Sequence, residues 1–88
     1  MSVRRFDPAP PLPVEADDAG DPRAFVWRGR AELVVAIEAT WDEAAGWWRG
    51  SAGVTARRCY RVRTITGLRG ILYRNLADAT WSLGAILD

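Results

Sequence analysis

The chain has 88 residues, which is enough for one domain, and its five tryptophans, two phenylalanines and two tyrosines supply the bulk that a small core needs. The single cysteine, Cys59, excludes an internal disulfide framework and is typical of a reducing compartment. The formal net charge is +1, and no apolar stretch is long enough to span a bilayer or to act as a signal peptide. We therefore expect a cytoplasmic protein.

The charge is unevenly distributed along the chain. Residues 1–48 contain five arginines and nine acids, whereas residues 49–88 contain seven arginines and two acids. Such a division can steer an anionic partner to one end of a protein, or the two halves can pair with each other within one fold. All twelve basic residues are arginine. Arginine suits bidentate phosphate contacts, but the same bias also follows from a GC-rich genome.

The first thirteen residues are predicted to be a disordered tail. Four of the five prolines lie there, and proline lacks a backbone donor and favours an extended chain. Residues 14–88 are predicted to form a single small β domain. It begins with a short edge strand over residues 14–18, which is followed by an acidic turn around Gly20.

The next segments predict a hairpin. Phe25 and Trp27 alternate with Val26 and Arg28, and Gly29 can adopt the positive φ that a tight turn needs. The following residues 33–40 fit a strand by their alternation and a helix by their four-residue spacing. The hairpin signal favours the strand. A single helical turn is then expected over residues 41–46, with loop residues beyond it.

The clearest alternation lies in residues 57–64. Tyr60, Val62 and Thr64 point to one face, and the arginines between them point to the other. Two more strands follow, from Gly70 and from Trp81. Together these patterns predict an all-β fold, a small strongly bent antiparallel sheet or open barrel of five to six strands. Its core cluster is expected to contain six side chains: Trp27, Tyr60, Val62, Leu72, Trp81 and Leu83.

Several short motifs resemble a known family. They are Trp27-Arg-Gly-Arg, Trp41, Gly46-Trp-Trp-Arg-Gly, Tyr60-Arg-Val-Arg-Thr, Leu72-Tyr-Arg-Asn-Leu-Ala and Trp81-x-Leu. In these motifs the chain resembles the small actinobacterial proteins of domain-of-unknown-function family 6504. It is also similar to the C-terminal tail of the inactive Y-family DNA polymerase homologue of bacterial mutasomes. Cys59, Gly70 and the ending at Ala85 depart from the pattern. The resemblance spans residues 25–88 and implies a setting in DNA damage tolerance and translesion synthesis, without functional residues to carry over.

The composition argues against an enzyme. The chain has no histidine and no lysine, so the usual general base and the usual Schiff-base amine are absent. Cys59 has arginine neighbours but no histidine partner, which favours a packing role. We expect no cofactor, no metal site and no small-molecule substrate.

Two functional hypotheses remain open. In the first, the chain is a protein-interaction (adaptor) module that docks on a replication or repair factor through the double tryptophan Trp47-Trp48 and the sheet edge. In the second, it is a small nucleic-acid-binding barrel that uses an arginine row and an exposed tryptophan to bind single-stranded DNA. The near-zero net charge favours the first. The candidate binding residues are Trp47, Trp48, Arg49, Arg57, Arg61 and Arg63.

Overall fold

A computed structural model describes residues 2–45 and 55–87, and this part of the chain consists of seven β-strands joined by turns. The strands are β1 (Val3–Arg5), β2 (Val14–Ala16), β3 (Pro22–Trp27), β4 (Arg30–Ala45), β5 (Thr55–Thr64), β6 (Arg69–Asn75) and β7 (Trp81–Leu87). No helix over these residues is long and apolar enough to cross a membrane. The prediction of an all-β fold is confirmed, with seven strands in place of five to six.

The seven strands form one open antiparallel sheet in the order β1-β7-β6-β5-β4-β3-β2. Strands β2 to β6 each pair with the next strand in sequence, and β1 adds to β7 at the far edge. The sheet is bent, because two adjacent residues of the N-terminal segment reach strands near its opposite ends. The Leu12 amide donates to the Trp81 carbonyl of β7, and the Val26 amide of β3 donates to the Pro13 carbonyl.

The structure differs from the disorder predicted for the N-terminal tail. Residues 3–5 form β1, and Leu12 is buried in the core. The prolines of this segment have no amide hydrogen to donate, but their carbonyls can accept, as the Pro10 carbonyl does from the Leu83 amide. An extended, proline-rich segment is therefore compatible with a place along the concave side of a sheet.

The core lies on the concave face of the sheet. Of the predicted cluster, Tyr60, Val62, Leu72 and Leu83 are fully buried, and the two tryptophans, Trp27 and Trp81, are partly buried and pack against them. The remaining buried members of this cluster are Leu12, Phe25 and Ile86. The alternation along β5 predicted this face correctly because β5 pairs with β6 without a register shift.

Strand β4 resolves the ambiguity left by the sequence. Residues 33–40 are a strand, as the hairpin signal favoured, and the strand continues through residue 45. The helical turn predicted over residues 41–46 is therefore wrong for the residues that the structure describes. The reason is tertiary, because Trp41 is paired with Cys59 and each following residue of β4 has a partner on β5.

Candidate interaction site

Strand β4 is longer than one of its two neighbours, and this leaves part of its backbone unpaired. Its pairing with β3 covers residues 30–33, whereas its pairing with β5 extends to residue 45. The last residue of β3 paired with β4 is Ala24, two residues after Pro22, which begins the strand and has no amide hydrogen to donate. Within the described part of the chain, β4 beyond Leu33 therefore has a neighbouring strand on one side only.

The unpaired side of β4 is protected in its first half and open in its second. Register shifts fall at Val34/Ala36 and at Ile37/Ala39, and such bulges are a common means of blocking an edge. Residues 39–45 then pair one-to-one with β5. We call residues 39–45 of β4 the free edge. It contains neither proline nor lysine, the residues that most often guard edge strands.

The two carboxylates of the free edge are held by β5. Arg58 Nε donates to Asp42 Oδ1 at 2.8 Å, and Arg57 Nη2 donates to Glu43 Oε1 at 2.7 Å. Both ion pairs are partly exposed, so each contributes little to stability. Their consequence is geometric, because both carboxylates are directed toward β5 and away from the unpaired side of β4.

An aromatic and charged cluster covers the convex face behind the free edge. Trp41 Nε1 donates to Glu43 Oε2 at 2.8 Å, and the Arg57 guanidinium carbon lies 3.8 Å from the centroid of the Tyr73 ring. We call Trp41, Glu43, Arg57, Cys59 and Tyr73 the outer cluster. The Trp41 indole and then Arg57 hold the pKa of Glu43 below its usual range. Glu43 is therefore ionised at neutral pH and links the free edge to β5.

Cys59 is part of this cluster and is fully buried, although it belongs to the convex face. In register it lies between Trp41 on β4 and Tyr73 on β6. Burial, and next the charge of Glu43, raises the pKa of the thiol to about 11. The thiol is thus protonated at neutral pH, which agrees with the predicted packing role and gives no activated nucleophile.

The predicted arginine row is divided by its partners. Arg57 is bound to Glu43, and Arg61 lies 3.7 Å from Glu38, which Arg69 also binds at 2.9 Å. The charge division along the sequence allows either an anionic partner or pairing between the two halves of the chain, and these contacts favour pairing. Arg63 is exposed, opposite Arg69 in the register of β5 and β6. The other three predicted binding residues, Trp47, Trp48 and Arg49, lie outside the described residues.

Exposed apolar side chains that the sequence patterns did not single out lie near the N-terminal end of β4. Leu33, Val35 and Ile65 are 53%, 54% and 67% exposed, and the Ile65 amide donates to the Leu33 carbonyl at 2.9 Å. The sequence signal was the apolar run in which Val34 breaks the alternation. That break marks the bulge, which places Val34 against the core and leaves Val35 in solvent.

The described residues hold no group of three or more His, Cys, Asp or Glu side chains that could bind a metal ion. The features that remain are a strand edge, an apolar patch and a convex face on which the side chains of the outer cluster are joined by hydrogen bonds and a cation–π contact. Fold and site together define a small all-β protein with a sheet edge that no other described strand covers.

The chain belongs to a family described as Domain of unknown function (DUF6504), which matches residues 2–88. The resemblance noted from the motifs is thus confirmed at the level of the family, and the match includes the N-terminal segment that the motifs did not cover. No curated protein and no solved structure matches the chain.

Proposed function

We propose that this chain is a non-enzymatic protein-interaction module, an adaptor that binds an extended segment of a partner protein along the free edge of β4. The observation that carries the proposal is the regular, one-sided stretch of residues 39–45. A strand edge of this kind can accept an added strand, since its outward backbone groups supply the hydrogen bonds and alternate side chains supply specificity.

The apolar patch supports the same proposal. Val35 lies in the bulged part of β4, and the hydrogen bond from the Ile65 amide to the Leu33 carbonyl places these two exposed side chains near the same end of the strand. Exposed apolar side chains grouped in this way are typical of protein contact surfaces. A partner segment that continues past the bulges toward the N-terminal end of β4 would come close to this patch.

The occupant that fits best is a segment of a different protein. From residue 35 to residue 45, β4 carries Glu38, Asp42 and Glu43 and no basic residue. Antiparallel pairing of two copies of β4 would bring these acids toward their counterparts, and like charges opposite each other destabilise a sheet. A partner segment with basic and apolar residues avoids this repulsion.

The family resemblance suggests where such an adaptor would act. Similarity to the C-terminal tail of the inactive polymerase homologue supports a role in DNA damage tolerance or translesion synthesis, in the cytoplasm. The partner would then be a replication or repair factor. Trp47, Trp48 and Arg49 begin two residues after the end of the free edge in sequence and stay candidate contacts in this proposal.

The alternative, a nucleic-acid-binding protein, has less support. Arg57 and Arg61 have carboxylate neighbours, so a phosphate would have to compete with Glu43 and Glu38 for them. Replacing Arg57, Arg61 and Arg63 by glutamine should therefore leave any weak binding to a labelled single-stranded oligonucleotide unchanged. A loss of micromolar binding, with a salt slope about one unit smaller per lost phosphate contact, would favour the nucleic-acid function instead.

A displayed library of random decapeptides provides a direct test of the adaptor. Residues 39 and 44 are an odd number apart in a regular antiparallel stretch, so one amide points toward β5 and the other points outward. Ala39→Pro and Ala44→Pro are therefore matched variants. The variant that removes the outward amide should stay folded and lose the selected peptides, whereas the other should lose stability.

Three outcomes would overturn the proposal. The library could yield no peptide, or the selected peptides could bind the outward-amide proline variant as well as the native chain. Sedimentation could instead show a concentration-dependent dimer that the same variant dissociates. In that case the occupant of the free edge is a second copy of the chain.

A further inference from the structure

An open cavity of about 550 Å³ lies at the end of the molecule where the β3–β4 and β5–β6 turns meet. Glu32 and Thr66 form its polar side, and Trp27 and Leu68 form its apolar side. Arg28 and Arg30 are exposed at its rim. Neither the free edge nor the outer cluster contributes a residue to this cavity.

Glu32 is the exceptional residue here. It is only 4% exposed, and its Oε1 accepts hydrogen bonds from the hydroxyls of Thr64 at 2.8 Å and Thr66 at 2.7 Å. Among the described residues no basic side chain lies within 4.0 Å of it, whereas the other three acids of β4 each have an arginine partner. Among the described residues, the Glu32 carboxylate thus has hydrogen-bond donors but no cationic partner.

The energetics of this arrangement indicate what the cavity can bind. A buried carboxylate without a cation is costly, and two hydroxyl donors offset only part of its lost hydration. A cationic group that entered the cavity would neutralise Glu32 and could also contact the Trp27 ring. The Arg28 guanidinium carbon lies 5.2 Å from the centroid of that ring. The rim arginines would repel a bare cation but attract acidic groups on either side of it.

We infer that this cavity binds one arginine or lysine side chain of a peptide in which acidic residues flank the basic one. The basic group contacts Glu32, and the flanking carboxylates contact Arg28 and Arg30. The site lies toward the beginning of β4, and about seven residues or more, ~23 Å of extended strand, separate Glu32 from the free edge. This inference does not rest on the proposed function.

The test uses acetyl-Asp-Arg-Asp-amide as the probe and the same tripeptide with citrulline in place of arginine as its uncharged control. Amide chemical shifts of Thr66 and Gly67 are followed by NMR during titration of the native chain. The arginine probe should shift these amides with a dissociation constant of about 1 mM or lower. The citrulline control should bind about tenfold more weakly or worse, since a hydrogen-bonded charge is lost.

Glu32→Gln is the matched variant, because its amide oxygen can still accept from both threonine hydroxyls while the charge is removed. This variant should keep the native fold and bind the two probes equally weakly. Binding of library peptides at the free edge should be unchanged, so failure of either site is visible separately. Equal binding of the two probes by the native chain, or no shift at about 10 mM probe, would overturn the inference without any variant.

Discussion

Gly84 of β7 gives the sharpest prediction about packing. A β-carbon placed on it would overlap the ring of Tyr73, at 2.7 Å from the hydroxyl oxygen. Gly84 does not have a positive φ, so alanine is conformationally acceptable there and would by itself stabilise the fold by about 0.4–1 kcal/mol. Overpacking against an aromatic ring costs about 1–3 kcal/mol. Gly84→Ala should therefore lower the free energy of unfolding by about 1–2 kcal/mol.

The free energy of unfolding is measured by urea denaturation in a double-mutant cycle with Tyr73→Ala, and the melting midpoint is measured in a separate thermal scan. In a domain of this size 1 kcal/mol corresponds to about 4–8 °C, so Gly84→Ala alone should lower the melting midpoint by roughly 5–15 °C. In the Tyr73→Ala background the ring is absent, and the same substitution should raise stability by about 0.4–1 kcal/mol. Equal effects of Gly84→Ala in both backgrounds would show that Tyr73 does not lie on Gly84 and would refute the reasoning.

Three further predictions concern the core and the outer cluster. Leu72→Ala should lower the free energy of unfolding by about 2–5 kcal/mol, because Leu72 is fully buried, and chemical denaturation measures this. The pKa of Glu43 is lowered in the folded state, so its contribution to stability is present above the unfolded pKa of about 4.3 and is lost as the pH falls through the folded value. The Trp41 indole NMR signal should shift over that lower pH range, and Glu43→Gln should abolish the shift. The buried Cys59 thiol, with its pKa raised to about 11, should react with a thiol reagent at neutral pH only as fast as the chain unfolds.

Each of these predictions has a clear contrary result. A Leu72→Ala variant as stable as the native chain would place Leu72 outside the core. An indole signal that titrates unchanged in the Glu43→Gln variant would show that another group causes the shift. Stoichiometric modification of Cys59 within seconds in the folded protein would mean that the thiol is accessible.

The core face was predictable from sequence where the backbone is regular. Along β5 each residue has one partner on β6, so the alternation of Tyr60 and Val62 with arginines translates directly into buried and exposed faces. Along β4 two bulges interrupt that relation, and no local signal in the sequence fixes where the extra residues fall. The face on which Glu38 meets Arg69 was therefore not predictable.

The free edge depends on a relation between strands that a single sequence does not display. The strand beyond Trp41 is held by its pairing with β5, whereas alanine and acidic residues favoured a helical turn locally. The place of the N-terminal segment was missed for a similar reason. Proline content predicts a poor donor, but it does not indicate that the carbonyls of Pro10 and Pro13 accept from β7 and β3.

Amide hydrogen exchange along β4 tests the central proposal most directly. In the isolated chain, every second amide over residues 39–45 should exchange rapidly, while the alternate amides and those of β5 facing β4 are protected. Addition of a selected peptide should protect the rapidly exchanging set and leave the other amides unchanged. Protection of all these amides in the dilute isolated chain, or protection by peptide only elsewhere in the protein, would contradict the account.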